Sequence, residues 1–192
     1  MTDKIVNGIL FIIAGLGSIA VYLALGETGL LDKGHTEKIA AYTLVTIPLA
    51  FMMTRNVARN NFTDAGLIII VVGLSMGLVS DAINSAEISA ESDLIGEAIA
   101  WTGWSLMYLG IFITAIGYLR TTLFPKWLSG LLSVTSFVFF AFLTVLNGEQ
   151  LVNSGENLVP PIWMINSLVL VILGIFTMRR KSEGTGKVEA GS

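Results

Sequence analysis

Long stretches of apolar residues without charged side chains dominate the pattern of this chain. A helix that crosses the ~30 Å hydrocarbon core of a bilayer needs about 20 mostly apolar residues. Short segments rich in charged and turn residues separate the stretches that approach this length. There are six, with approximate bounds Ile5 to Leu25, Ile39 to Thr54, Ala65 to Asn84, Ala98 to Leu119, Trp127 to Asn147 and Pro160 to Met178. The pattern predicts an all-α, polytopic membrane bundle of six transmembrane helices.

The second predicted span is the weakest of the six. It is short, and Pro48 removes one backbone hydrogen bond, which commonly kinks a helix in a membrane. If this stretch did not cross the bilayer, the last four spans would keep their direction and the N-terminus would change sides. We predict a six-span domain over residues 1–180. Residues 181–192, rich in Gly, Ser and charge, are predicted to form a disordered cytoplasmic tail.

The composition agrees with a membrane location. Of the 192 residues, 54% are hydrophobic and 13% are charged, whereas soluble domains carry about 25% charged residues. The absence of cysteine excludes disulfides, thiolate nucleophiles and cysteine-ligated clusters. A net charge of -3 gives no reason to expect nucleic acid as a partner. The one partner that the composition requires is the lipid bilayer.

The distribution of Lys and Arg predicts the direction of the spans, because cytoplasmic loops carry an excess of basic residues. With the N-terminus inside, nine basic residues fall on the cytoplasmic side and two fall outside, whereas most acidic residues lie outside. We therefore predict a cell membrane protein with both termini in the cytoplasm. The nine inner residues are Lys4, Arg55, Arg59, Arg120, Lys126, Arg179, Arg180, Lys181 and Lys187, and the two outer ones are Lys33 and Lys38.

Glycine recurs at helical spacing in the third and fourth predicted spans. The third carries a GxxxG pair, and the fourth repeats glycine every seven residues. Such faces let two backbones approach closely, which is a main source of helix association in lipid. We predict that the two helices pack through Gly73, Gly77, Gly96, Gly103, Gly110 and Gly117.

Motifs for catalysis are sparse. The stretch from Gly73 to Gly77 also reads G-x-S-x-G, but a serine nucleophile needs a base, and the single histidine, His35, lies in a predicted loop. The spans hold no histidine or cysteine for haem or zinc, and no glycine-rich phosphate loop is present. We expect no metal and no cofactor, and the sequence favours a non-enzymatic protein without deciding the point.

Asp81 is an ionisable residue inside a predicted span, where a charge is costly and suggests a function. Polar and aromatic side chains of neighbouring helices are predicted at the same, outer side. One face of the fourth helix carries five of them, Glu97, Trp101, Trp104, Ser105 and Tyr108. Tyr22 and Asn147 lie at a similar level. The candidate ligand-binding residues are Asp81, Glu97, Trp101, Trp104, Tyr108, Trp163 and Asn166.

Two interpretations of these residues stay open. They could line an outward-facing pocket for a small polar or cationic solute, since aromatic faces attract cations. Alternatively, the aromatics form an interfacial belt and Asp81 simply ends its helix at the membrane surface. The pocket interpretation predicts that Asp81, Trp104 and Tyr108 meet in one cavity.

Two resemblances to known families follow from short motifs. The segment from Gly117 to Arg120 and on to Leu128, in which Pro125 and Trp127 open the fifth span, resembles a cytoplasmic turn of uncharacterised six-helix bacterial membrane families. That resemblance implies no activity. The size, the six spans and the pair Ala20 and Ala24 resemble the solute-binding membrane subunits of energy-coupling-factor vitamin transporters. In that family an Ala-x-x-x-Ala pattern docks a transport partner, although here the pair lies nearer the outer end.

Three functions are compatible with these observations. The leading hypothesis is a non-enzymatic component that binds or transports a small solute. The second is an accessory or scaffold subunit within a larger membrane complex or homo-oligomer, which predicts an exposed groove of small residues. The third is a lipid-directed membrane enzyme with carboxylates as acid and base, which predicts that Asp81 lies close to Glu97 or Glu87.

Overall fold

The computed structural model describes residues 3–86, 88–146 and 148–180, without the side chains at positions 33 and 148–157. All regular structure in this part of the chain is helical. The predicted disordered tail, residues 181–192, lies outside the described residues. The helices are α1 (Asp3–Val21), which continues as a π-helical turn (Tyr22–Gly26), α2 (Lys33–Leu44), α3 (Thr46–Arg55), α4 (Asn61–Asn84), α5 (Ala90–Leu119), α6 (Lys126–Val145) and α7 (Gly148–Arg179).

Five of these helical stretches are long and apolar enough to cross a membrane, which makes the chain a multi-pass helical membrane protein by length and composition. Large apolar side chains also cover the outside of the bundle, as Ile68, Val134 and Leu168 illustrate. In water such a surface would be an interaction patch, whereas in lipid it is the expected exterior. The five stretches are Asp3–Gly26, Asn61–Asn84, Ala90–Leu119, Lys126–Val145 and Leu158–Arg179.

The second predicted span is divided into two short helices. A helical Pro48 cannot donate to the carbonyl of Leu44, and the break lies there: α2 ends at Leu44 and α3 begins at Thr46. Val45 between them keeps right-handed helical angles, and its N–H bonds to the carbonyl of Tyr42 in a tighter turn. The sequence pattern therefore placed helix here, but neither piece alone has the length of a span.

Two helices, α5 and α7, begin more than two helical turns earlier than the apolar pattern predicted. α5 begins at Ala90 rather than Ala98, because Ser89 and Ser92 form a reciprocal capping box at its start. α7 begins at Gly148 rather than Pro160 and contains Pro160 within it. Hydropathy identifies the part of a helix that lies in the hydrocarbon layer. It does not detect polar turns that extend the helix beyond this layer.

The helices form a closed ring. α1 packs against α7, α7 against α6, α6 against α5, and α5 against α4; the broken pair α2 and α3 then connects α4 back to α1. The most extensive contacts join α4 to α5, α5 to α6, and α1 to α7. The α2–α3 pair thus occupies the sixth position of the ring.

The α4–α5 contact runs along both helices through glycine. A Cβ atom added to Gly103 would lie 2.8 Å from the Gly77 backbone nitrogen, and one added to Gly110 would lie 2.6 Å from that of Ile70. Gly66, which was not among the predicted packing residues, faces the Gly110 carbonyl. All six predicted glycines lie at this contact, with Gly73 against Met107 and Gly103, Gly77 against Trp104, Gly96 against Asn84, and Gly117 against Thr63 and Asn60.

A second glycine contact, between α1 and α7, was not anticipated. A Cβ on Gly174 would lie 2.6 Å from the carbonyl oxygen of Gly8, and Gly15 likewise faces the backbone of Ser167. Gly8 and Gly15 are seven residues apart, the same interval as in α5. The spacing was visible in the sequence, but nothing there identified α7 as the partner of α1.

The two ends of the bundle differ in charge. At the basic end, Arg55 pairs with Asp64, and the Lys4 ammonium donates to the carbonyl of Arg180 at 2.8 Å. Below this end the interior is filled by a row of aromatic rings, in which Phe51 meets Phe11 at 5.2 Å and Tyr118 at 6.3 Å. The opposite, acidic end carries the α4–α5 connection.

Candidate functional site

A cavity of about 300 Å³ lies inside the ring, in the half nearer the acidic end. Side chains from α1 through α7 line it, including Ala14 of α1, Ile47 of α3 and Leu132 of α6. Because every helix of the ring contributes to this cavity, the residue pattern of a single helix could not predict it. Its volume is at the lower end of the range found for small-molecule sites.

Two carboxylic acids line this cavity. Asp81 comes from the last turn of α4, and Glu37 comes from α2, which is next to α4 in the ring. The two side chains are near enough for their charges to repel. Asp81 was predicted from the sequence but Glu37 was not, because Glu37 precedes the apolar stretch and was assigned to an outer loop.

The neighbour of Asp81 fixes the position of that end of α4. The Ser80 hydroxyl is fully buried and donates a hydrogen bond to the carbonyl of Gly96 in α5 at 2.7 Å. On the next turn toward the middle of α4, the Trp104 ring lies against Gly77. Since Ser80 faces α5, Asp81 is turned about 100° around the helix and reaches the cavity.

Aromatic side chains form much of the wall. Trp101, Trp104 and Tyr108 of α5 line the cavity together with Trp163 of α7. The Tyr108 ring also packs on Phe139 of α6, with ring centroids 4.3 Å apart. The side chains that the pocket interpretation required to meet, Asp81, Trp104 and Tyr108, thus lie on one cavity.

Glu97 is separate from this group. Its side chain is exposed and does not line the cavity, although it shares a helix face with Trp101. It lies one turn closer to the start of α5, beyond the level of the cavity. Helix spacing grouped Glu97 with Trp101 but gave no information on how far along α5 the cavity extends.

Asn166 lines the cavity, but its amide group is already engaged. Its Oδ1 accepts a hydrogen bond from Ser136 at 3.3 Å, and its Nδ2 donates to the carbonyl of Thr135 at 3.3 Å. These bonds connect α7 to α6, and the side chain is 2% exposed. Asn166 therefore shapes the wall by holding two helices together, with little hydrogen-bonding capacity left for a ligand.

Two residues of α1 and its π-helical turn also line the cavity. Tyr22 begins the turn that ends this helix, and π-helical turns frequently occur at functional sites. Ser18 is 3% exposed, and among the described residues its hydroxyl has no hydrogen-bond partner. Tyr22 was noted from the sequence and Ser18 was missed; Asn147, noted beside Tyr22, lies outside the described residues.

An exposed cap fixes the start of α2, the helix that carries Glu37. The Asp32 carboxylate accepts a hydrogen bond from the His35 backbone N–H at 2.8 Å and contacts the His35 ring at 2.8 Å. The backbone hydrogen bond, with a smaller contribution from the ring, lowers the pKa of Asp32 below its ordinary value. His35 thus belongs to a helix cap and not to the cavity.

Neither protein-family models, curated proteins nor solved structures give a significant match to this chain. Its function is accordingly inferred from the cavity and from the residues that line it.

Proposed function

We propose that this chain is a non-enzymatic membrane component that binds or transports a small polar or cationic solute. The observation that carries the proposal is the cavity itself, which combines two acids and several aromatic side chains inside a helical membrane bundle. Keeping a carboxylate such as Asp81 in this position is costly, and a bound solute would offset that cost. An interfacial aromatic belt, by contrast, needs no common cavity.

The proposal includes a six-span topology in the cell membrane with both termini in the cytoplasm. The closed ring supports it, because the α2–α3 pair completes a ring whose other members are long enough to span. The basic end, with Arg55 and Lys4, would face the cytoplasm. The cavity would then open toward the outside.

Single-cysteine labelling tests this topology, since the chain has no cysteine of its own. Cysteines at the exposed positions Leu30 and Ser89 should react in intact cells with a maleimide that does not cross membranes. Cysteines at Asn56 and Thr122 should react only after permeabilisation. If Leu30 behaved like Asn56, the α2–α3 pair would not cross the membrane and the six-span topology would be wrong.

The two other functions have less support. The scaffold hypothesis needs a free groove of small residues, but the glycines of α4 and α5 are occupied by each other. The enzyme hypothesis needs Asp81 beside Glu97 or Glu87; Glu97 is exposed away from the cavity, and Glu87 lies outside the described residues. No specific observation favours either one over a solute pocket.

Co-purification tests the proposed function directly. The protein, extracted in mild detergent, should retain a small molecule that native mass spectrometry detects. Ala41→Leu, which adds bulk to the cavity wall, should lose this molecule, whereas Ala82→Leu, the same change on an exposed face beside Asp81, should retain it. A stoichiometric partner protein with no small molecule in either sample would instead favour the scaffold.

A further inference from the structure

The chemistry of the cavity is divided between two sides, and this division narrows the class of solute. The two acids come from the neighbouring helices α2 and α4, as Glu37 and Asp81, and hydroxyl-bearing side chains come from α1, α5 and α7. The side formed by α6 is apolar, with Leu132 and Leu143. A ligand that fits both sides must itself be charged at one end and apolar elsewhere. Assigning a ligand to the cavity rests on the proposed function.

The sign of the ligand charge follows from the lining groups. Among the described residues, none donates a hydrogen bond to the Asp81 carboxylate or forms an ion pair with it. Among the residues that line the cavity, none is Lys or Arg, and Glu37 adds a second acid near Asp81. A lining with two acids and no basic side chain disfavours an anion, whereas a cation would supply the counter-charge that Asp81 lacks.

The walls indicate what kind of cation. Trp101, Trp104, Trp163 and the two tyrosines Tyr22 and Tyr108 surround the space with aromatic groups. Alkylated ammonium ions bind such walls well because their diffuse charge is attracted to aromatic faces. A metal ion needs several oxygen or nitrogen ligands, and the described residues contain no group of three His, Cys, Asp or Glu side chains that could hold one.

We infer that the cavity binds an alkylated organic ammonium ion, with its charge beside Asp81 and its apolar part toward α6. The volume of about 300 Å³ limits the ligand to a small molecule of this class.

The distribution of tryptophan makes the inference measurable. Three of the four tryptophans line the cavity, and the fourth, Trp127, is 57% exposed and packs on Phe176 near the basic end. Trp127→Phe therefore leaves a full-length protein whose fluorescence reports on the cavity alone. The probes are choline and 3,3-dimethylbutan-1-ol, in which carbon replaces the ammonium nitrogen so that shape is kept and charge is lost.

Choline should change the fluorescence saturably and bind at least about tenfold more tightly than the neutral alcohol. Asp81→Asn should remove most of this preference, whereas Glu97→Gln, which deletes an acid at the same end but outside the cavity, should leave it unchanged. If Asp81→Asn does not yield a monodisperse protein, Glu37→Gln provides the second charge deletion and should also weaken choline binding.

The inference is overturned by equal binding of the two probes, by an equal effect of Glu97→Gln and Asp81→Asn, or by no response to choline. These outcomes are distinct from failure of the proposed function. A protein that retains another small molecule on purification, yet does not prefer choline, keeps a solute pocket and loses only the cation assignment.

Discussion

The two halves of the bundle are built from the same helices and filled in opposite ways. In the half near the basic end, the Phe51 ring meets Phe11 edge to face and stacks on Tyr118, and all three side chains are essentially inaccessible. In the half near the acidic end, the same ring surrounds a cavity with Asp81 on its wall. Close packing is the normal state of a protein interior, so the hollow half is the one whose structure requires a functional explanation.

The largest expected loss of stability comes from truncating a buried side chain in the filled half. Phe51→Ala should destabilise the protein by about 3 to 5 kcal/mol, because it removes a ring that is packed on all sides. Phe139→Ala is the matched change at the cavity, because Phe139 is similarly buried but forms part of the cavity wall. It should cost clearly less in thermal unfolding measured in detergent. Equal losses would contradict the contrast between a filled and a hollow half.

The glycine contact between α4 and α5 extends through both halves of the bundle. Larger residues at this contact should lower the stability of the protein. Gly110→Ala places a Cβ atom 2.6 Å from the Ile70 nitrogen, and a backbone atom cannot move away as a flexible side chain can. We expect a loss of about 1 to 3 kcal/mol from overpacking. Gly130→Ala in α6 meets nothing within 4 Å and should be neutral or stabilising. Similar melting temperatures for the two variants would show that α4 and α5 are less tightly packed than these distances require.

Two adjacent residues of α4 allow the same comparison between packed and hollow surroundings, because Ser80 faces α5 and Asp81 faces the cavity. Ser80→Ala loses the buried hydrogen bond to Gly96 and should destabilise the protein by about 1 kcal/mol. Asp81→Asn replaces a carboxylate that lies near Glu37 with a neutral amide, and should stabilise the ligand-free protein by about 1 kcal/mol. The measurement is thermal unfolding of both variants at neutral pH. A loss of stability in Asp81→Asn would mean that the carboxylate has a structural role.

The sequence was sufficient for features that depend on one helix at a time. Long apolar stretches identified the helices, and the seven-residue glycine repeat of α5 identified the face that α4 covers. Asp81, Trp101, Trp104 and Tyr108 were also found, because a costly charge and a row of aromatics are visible without a structure.

What the sequence could not supply depends on several helices together. Glu37 reaches the cavity only because the ring closes through α2, and Ser18 matters only because its hydroxyl is left without a partner there. Glu97 was selected by direction along a helix face, but the depth of the cavity decides whether a residue of that face belongs to it. The break at Leu44 was signalled by Pro48, although the course of α3 beyond it was not.

The smallest expected effect concerns the cap of α2, which positions one wall of the hollow half from outside. Because the folded-state pKa of Asp32 is lowered, its carboxylate stabilises the folded state above the ordinary pKa, and this contribution is lost as the pH falls through the folded value. Asp32→Ala should speed amide hydrogen exchange in the first turn of α2 at neutral pH. Asp32→Asn retains a capping oxygen and should exchange only slightly faster than the wild type. The ratio of wild-type to Asp32→Asn exchange, measured at each pH so that intrinsic rates cancel, should approach one in acid. A ratio that did not change with pH would show that the charge of Asp32 does not stabilise the first turn of α2 and that the capping hydrogen bond alone does.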